Sequence, residues 1–564
     1  MKKMKIFTKR QRTVIVRAAV ASILPIAMMA SAQGADTNPV VPINLVAPAG
    51  IPNVAPLPFT GVKTAAFTTP ETMANLTVTP DQGVVGNSMT ISGKGLAANS
   101  SLNLSYGTFD ATWVTDIQPN SVNYLGYKFT KNVFIDIATV TTDGSGNFSY
   151  STKIPSDFGG IHDIFAVVNN VAVAHGGFQY LRTMTISPTS GPIGTPITVT
   201  YTGLGASLYT AGAALHWDNS FAGEMQAFWT RGTAKAVIRA AGPIGAHTVE
   251  VKDAITFAYL NIVQSPVPYA NGGAATFRVT KDAGLPAPSV DYPAKMEPTV
   301  SQRTTLSTVG LDPATKAVAT LSTSSGDVNS KTTVSVTGLT STGAHQIVWA
   351  SVVGNRVNCT GTCWNYTSIP LGQANVTDGT LKSEVTIPDH LGGWHVIQIK
   401  KGDVIEAQVP FYVKESMMPF YDKSGKLIGQ AIAKADNSGT LEAFQKGNSG
   451  AATTTFKNGE EITISIKGVG WTQLDNTLAV TYDNSYIGYG CGFNSNGYMV
   501  IHIRATGAPG THIIDLHPLL YTNQPSFAGT PYGMVPILTS DRDFPGLALG
   551  YQVPSFHFAI NISK

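Results

Sequence analysis

Gly194-Thr195-Pro196-Ile197-Thr198-Val199-Thr200-Tyr201-Thr202-Gly203-Leu204-Gly205 reads as one β-strand set between two turns. Ile197, Val199 and Tyr201 alternate with threonine, a period of two that sends one set of side chains inward. The same reading returns 265 residues later, at Gly459-Glu460-Glu461-Ile462-Thr463-Ile464-Ser465-Ile466-Lys467-Gly468-Val469-Gly470. Residues 194–251 align without a gap on 459–516, pairing Asp218-Asn219-Ser220 with Asp483-Asn484-Ser485, Gly223 with Gly488, Phe228 with Phe493, Arg239 with Arg504 and His247 with His512. A stretch repeated at constant offset is a duplicated folding unit.

A second repeat is weaker. Thr142-Asp143-Gly144 and Ile154-Pro155-Ser156-Asp157-Phe158-Gly159-Gly160-Ile161-His162 recur as Thr377-Asp378-Gly379 and Ile387-Pro388-Asp389-His390-Leu391-Gly392-Gly393-Trp394-His395. The order is therefore A–B–A′–B′: A at 73–182, B at 183–280, A′ at 317–415 and B′ at 452–564, with linkers at 281–316 and 416–451. Short alternating strands with turn signals every 8–12 residues predict an all-β chain of four tandem sandwiches. Only Leu427 to Gln445 has room for a short helix.

Residues 1–17 carry Lys2, Lys3, Lys5, Lys9, Arg10, Arg12 and Arg17 with no acid. An apolar run from Ala18 to Ala30 and Ala30-Ser31-Ala32 follow, the make-up of a Sec-type signal peptide over 1–32. The run is shorter than the ~20 residues a membrane span needs, and no later stretch is apolar enough, so no transmembrane segment is expected. The expected destination is the periplasm, the cell surface or the medium. Residues 33–72 then form a spacer, with Pro39, Pro42, Pro48, Pro52, Pro56 and Pro58 favouring extended backbone. The formal net charge of the whole chain is +3. Removing the seven basic residues leaves 30 Lys and Arg against 34 Asp and Glu, a net charge of −4. A mildly acidic chain with only 13% charged residues gives no motive for binding nucleic acid.

Val78-Thr79-Pro80, Gly83, Gly86, Met89-Thr90-Ile91 and Gly95-Leu96 align with Ile186-Ser187-Pro188, Gly191, Gly194, Ile197-Thr198-Val199 and Gly203-Leu204. This opening resembles the immunoglobulin-like IPT/TIG module, and more broadly the early-set immunoglobulin-like domains of exported bacterial proteins. The resemblance covers about 20 residues per domain. It implies a seven-stranded sandwich that binds or spaces, with no catalytic residues. A′ and B′ depart from it; in B′, Thr453 stands where the proline would be.

All four units contain Gly-x-His, at His162, His247, His395 and His512. Four such residues at equivalent places in separate domains cannot converge on one ion. The favoured reading is a corner ring bonded to backbone. Asp218-Asn219 and Asp483-Asn484 between alternating runs suit tight hairpins, since Asn and Asp tolerate positive φ; a ligand-binding loop is the competing reading. Thr142-Asp143-Gly144-Ser145-Gly146-Asn147 lacks the distal Glu of a calcium loop and reads as a turn. The short Cys359-Thr360-Gly361-Thr362-Cys363 loop predicts a disulfide in an exported protein. Cys491 is left over, either a free buried thiol or an intermolecular bridge.

Trp217, Asp218, Trp229, Trp364, Tyr366, Tyr482, Asp483 and Tyr486 are the candidate ligand-binding residues, because flat rings among uncharged polar neighbours suit stacking on sugars. Alternating aromatics also fill sandwich cores. No catalytic motif, metal-ligand spacing, P-loop or dinucleotide fingerprint occurs, and no cofactor is expected. The sequence predicts a non-catalytic binding or structural module whose partner is a protein or glycan at a cell surface. A carbohydrate-binding accessory protein is the alternative, and an enzyme site at a domain junction the third.

Overall fold

The computed structural model describes residues 53–54, 61–118, 121–207, 210–254, 257–258, 260–264, 272–293, 311–354, 364–417, 420–421, 427–429, 432–435, 449–472, 475–493, 495–519, 535–540, 543 and 550–564. These residues are almost entirely β; their one helical turn is the 3-10 stretch Ile262–Gln264. They belong to one compact unit, Val41–Lys564.

Alternation becomes layers. In strand Pro196–Thr202, Ile197, Val199 and Tyr201 are wholly buried while Pro196 and Thr198 face water. Each such side chain contributes about 1.5–3 kcal/mol on burial. Residues of unit B form a three-stranded sheet (Thr183–Ser187, Pro196–Thr202, Thr233–Arg239). It packs on a five-stranded sheet running Ser190–Gly191, Gly273–Val279, Gly245–Asp253, Gly212–Trp217, Ser220–Gln226. Unit A′ has the same three-on-five plan. In unit A, strand Ala74–Thr79 switches layers, pairing first with Val171–Tyr180 and then with Ser88–Gly93, so one continuous sheet folds over its own core. Unit B′ repeats the B strands from Pro196–Thr202 to Gly245–Asp253 at the 265-residue offset, in sheets of four and six, while Ser555–Ser563 takes the place of Gly273–Val279 at a larger offset. The fold is all-β, built of immunoglobulin-like sandwiches.

The turns are those the sequence predicts. Asp218 and Asn219 have φ of 48° and 66°, and Asp483 and Asn484 have 47° and 62°, the paired positive values of a two-residue hairpin. Asp143 Oδ1 accepts the amides of Ser145 and Asn147, which closes a hairpin turn rather than an ion loop. Gly86, Gly194 and Gly459 all sit near φ 85–88°, where L side chains are strained. In A′ the equivalent place is taken by Asn329, at φ 65°.

Three expectations change. Within Leu427 to Gln445 the described residues are strands, Leu427–Gly429 and Ile432–Ala435, not helix; the latter pairs with Glu461–Ile466 and opens a sheet of B′ inside the expected linker 416–451. A lone four-residue alternation is too short to outweigh an open sheet edge. Ser289–Asp291, in the other expected linker, pairs with Ser555–Ser563. The end of the expected spacer also lies on unit A, where Lys63 bridges Ile135 and Thr68 bridges Val171.

The A–B contact is backbone on backbone. Gly159 N donates to Leu204 O at 2.6 Å, and the same contact recurs as Gly392 N to Val469 O at 2.9 Å. A Cβ on Gly159 would overlap the Gly203 carbonyl, and one on Gly392 the Gly468 carbonyl. Around the first contact, Arg231 Nε meets buried Asp157 at 2.9 Å and its amino group donates to Phe109 O at 2.9 Å. Gly159→Ala and Gly392→Ala should each destabilise the protein by about 3 kcal/mol, because backbone cannot yield as a rotamer can. Urea titration and limited proteolysis between A and B, or between A′ and B′, would check it; a neutral substitution would show that the junction is loose.

Candidate functional site

The four Gly-x-His rings are built into clamps. His162 meets Gly107 O at 2.8 Å and Phe158 O at 2.7 Å; His395 meets Ala350 O at 3.1 Å and Gly392 O at 3.0 Å. In the B units a carboxylate replaces one carbonyl. His247 meets Asp218 Oδ2 at 2.5 Å and Pro243 O at 2.7 Å; His512 meets Asp483 Oδ2 at 2.5 Å and Ala508 O at 2.8 Å. Each ring also lies against an aromatic one: Tyr106, Trp217, Trp349 and Tyr482, at centroid separations of 4.9, 5.0, 4.7 and 5.6 Å respectively. Burial pushes His395 down to about 4. Burial also lowers His512, but the Asp483 hydrogen bond and charge outweigh it, and its pKa is raised.

These clamps absorb four of the eight candidate ligand-binding residues, Trp217, Asp218, Tyr482 and Asp483. Trp217 is 3% exposed and Trp229 6%, both inside the core, so neither offers a face to a sugar. Tyr482 is buried, its hydroxyl donating to Thr506 O at 2.8 Å. Asp218 and Asp483 also accept the amides of Thr248 and Ile513. Tyr486 is half-buried and lies 6.4 Å from Phe221, its counterpart in B. The side chains of Trp364 and Tyr366 and the whole of Cys359 and Cys363, with the expected disulfide, lie outside the described residues. Cys491 is free and exposed rather than buried.

B and B′ are joined through polar groups. Arg239 crosses to Asp515 at 2.6 Å and donates to Phe558 O at 2.6 Å; His557 meets Asp515 at 2.7 Å. Desolvation would raise Asp515, but Arg239 and His557 hold its carboxyl far below the usual range. At the A′–B′ corner the balance fails. Arg182 in the first copy pairs with Asp253. At the 233-residue offset that relates Ile154 to Ile387, its counterpart is Glu415, and at the 265-residue offset that relates B to B′ the counterpart of Asp253 is Pro518. Neither carboxylate oxygen of Glu415 has a hydrogen-bond partner among the described residues. Burial and the nearby Asp475 push it well above the normal carboxyl range.

Ser341, His345 and Glu406 come together, yet both Ser341 Oγ (2.8 Å) and Glu406 Oε2 (3.1 Å) approach the same nitrogen, His345 Nε2. A relay needs base and orienting acid on opposite nitrogens, so this is a structural knot. Among the described residues no group of three or more His, Cys, Asp or Glu is placed to hold a metal.

Unit A holds a cleft of about 630 Å³ lined by Lys63, Thr64, Ala65, Ala66, Phe67, Thr69, Val133, Phe134, Asp163 and Phe165. Segment 62–68 creates it by crossing the sheet, tied to Phe134 O through Thr64 N and to Asn170 O through Thr68 N, both at 2.9 Å. Phe67 packs on Phe134 and Phe165 at 4.9 and 5.4 Å, giving an apolar floor. The rim is polar: Lys63 lies 3.5 Å from Asp110, and His175 2.9 Å from Asp163. The volume falls within the ~300–1,000 Å³ of small-ligand sites. The sequence reading missed it because its walls come from the expected spacer and two distant strands, Ser121–Thr141 and Ile161–Val168.

Two pH effects follow. His512 has its pKa raised by folding, so its stabilisation is complete below about 6.5 and is lost as pH rises through the folded value. Urea midpoints should fall over that window, and Asp483→Asn should flatten the fall; an unchanged profile would show that the pair is idle. Glu415, also raised, stays protonated in the fold while the unfolded chain ionises above 4.5. Glu415→Gln should therefore stabilise, with a gain that grows as pH rises above that value; a pH-independent gain would contradict the buried neutral acid.

No protein-family model and no curated protein matches the chain. Among solved structures, the chain is similar to invasin, a bacterial integrin-binding protein, at 13% identity, covering 87% of this chain and 79% of that one, with a TM-score of 0.17. It is similar to the Escherichia coli adhesin FdeC at 13% identity over 63% and 98% of the two chains, with a TM-score of 0.16. It is similar also to E. coli alpha-2-macroglobulin at 9% identity, where it covers 86% of this chain but spans only 30% of that protein, with a TM-score of 0.14. TM-scores at this level carry no functional argument.

Proposed function

We propose that the chain is an exported, non-catalytic protein of four immunoglobulin-like domains, IPT/TIG-like in B, that acts outside the cytoplasm as a binding or structural module. The cleft in unit A carries the reading: it joins an apolar floor to an exposed lysine and aspartate, the make-up of a recognition site. The basic, apolar and small-residue pattern of 1–32 supports export. The welded A–B contact suits a scaffold that holds the cleft in a fixed direction. A glycan is the second reading, favoured by the rings of Phe67, Phe134 and Phe165 beside polar groups; it replaces Trp217 and Trp229 with this floor as the stacking surface.

Residues 33–564, labelled and applied to intact cells and to a glycan array, would test both. Binding is expected to one of them. Ala66→Trp, which fills the cleft from an exposed position, should weaken it about tenfold or more, at least about 1.4 kcal/mol, without changing the melting temperature. Binding that survives Ala66→Trp would remove the cleft from the proposal, and no binding to either surface would remove the proposal itself.

A further inference from the structure

One edge strand occurs twice in this chain in two different states. In B it is Ser220–Gln226, and Ala222 through Gln226 are all buried. In B′ it is Ser485–Cys491, where the equivalent Ile487, Tyr489 and Cys491 are exposed, the first two by half. Both strands are the outermost in their sheets on that side. The difference has a visible cause. Pro536-Ile537-Leu538, which come after Gly510–Pro518 in B′, lie along this edge of B. Glu224 N donates to Pro536 O at 2.8 Å, and Glu224 O accepts from Leu538 N at 2.9 Å. A Cβ on Gly223 would strike Leu538 and Pro536, whereas one on its counterpart Gly488 would meet nothing within 4 Å. Tyr489 has the same register against Ala479 as Glu224 has against Ala214, so its N–H and C=O are presented in the same outward direction.

The corresponding loop of B follows Gly245–Asp253. Residues 254–272 contain no charged side chain, and Phe257, Leu260 and Val263 are 54%, 73% and 90% exposed. The chain thus carries a second such loop and a second receiving edge, neither of which pairs with a further strand among the described residues. The strand 485–491 bears no charge either, and so lacks the lysines, prolines or inward charges that normally guard an edge. Phe257 lies 4.7 Å from Phe221, which contacts Tyr486 at the start of the bare strand. A body seated there would extend the existing B–B′ seam.

We infer that the occupant is a second copy of this chain. The loop carrying Leu260 and Val263 docks on the Ser485–Cys491 edge of the other copy, and the exchange is reciprocal, giving a two-fold dimer. This goes beyond the binding role proposed above and does not depend on the cleft.

Sedimentation analysis of residues 33–564 over a concentration series tests it. A concentration-dependent dimer is expected. Tyr489→Lys on the edge and Val263→Lys on the loop should each return the protein to monomer, with melting temperature unchanged because both positions are exposed. Cys491 reports independently: its maleimide labelling should slow as protein concentration rises, and Val263→Lys should abolish the slowing. A monomer at every concentration with constant labelling rate would overturn the inference, as would a dimer that survives both substitutions.

Discussion

The hydrogen bond from Gly159 N to Leu204 O, repeated from Gly392 N to Val469 O, sets how the sandwiches join. Two main chains can meet this closely only where no side chain intervenes, and Gly203 and Gly468 complete the contact. Once A and B are fixed in this way, Asp157 and Arg231 lie inside the junction, and their burial is tolerable because the remaining donors find oxygen. Phe129 then spans the join, 5.8 Å from Phe158 and 6.1 Å from Phe228. The two-sandwich unit, rather than the single sandwich, is what the chain has doubled.

Comparing the two units separates the rigid from the replaceable. The backbone contact persists in both, while the ion pair beside it moves from Asp157–Arg231 to Asp389–Lys467. The Arg182–Asp253 corner becomes a buried Glu415 with no counter-charge opposite. A backbone clash has no cheap remedy. A salt bridge has many, because its Coulombic gain and desolvation cost nearly cancel and the net is small. Charge can therefore drift between copies where glycine cannot.

Repetition also decided what could be read in advance. The strands, the Asp-Asn hairpins and the corner histidines are legible from spacing alone. Of the stacking partners of the histidines, Trp217 and Tyr482 stand out in sequence as repeated aromatics for which a core place is the favoured reading and sugar stacking the competing one, whereas Tyr106 and Trp349 carry no such signal. Period-two alternation tells which residues share a face; it does not tell whether the other face is covered. In Gly212–Trp217 all six residues are buried, so the alternation that would have placed Trp217 has no exposed side to point to. The cleft was illegible for a different reason. It is made where residues 62–68 cross strands more than 60 residues away, and proline composition describes a spacer's stiffness without saying what it lies on.

Duplication within one chain creates an inequality that separate copies would not have. A loop of B′ can reach back to B, and in doing so it uses up one edge and one loop of a pair that began equivalent. Covering Glu224 by strand addition removes it from water so fully that burial raises its carboxyl to about 8, a cost accepted for closing the edge. Gln226 is buried with it, while Cys491 at the same place in B′ stays in solvent. The two copies have thus kept one fold but divided its surface: the edge strand of B is covered, and B′ retains the open sheet edge.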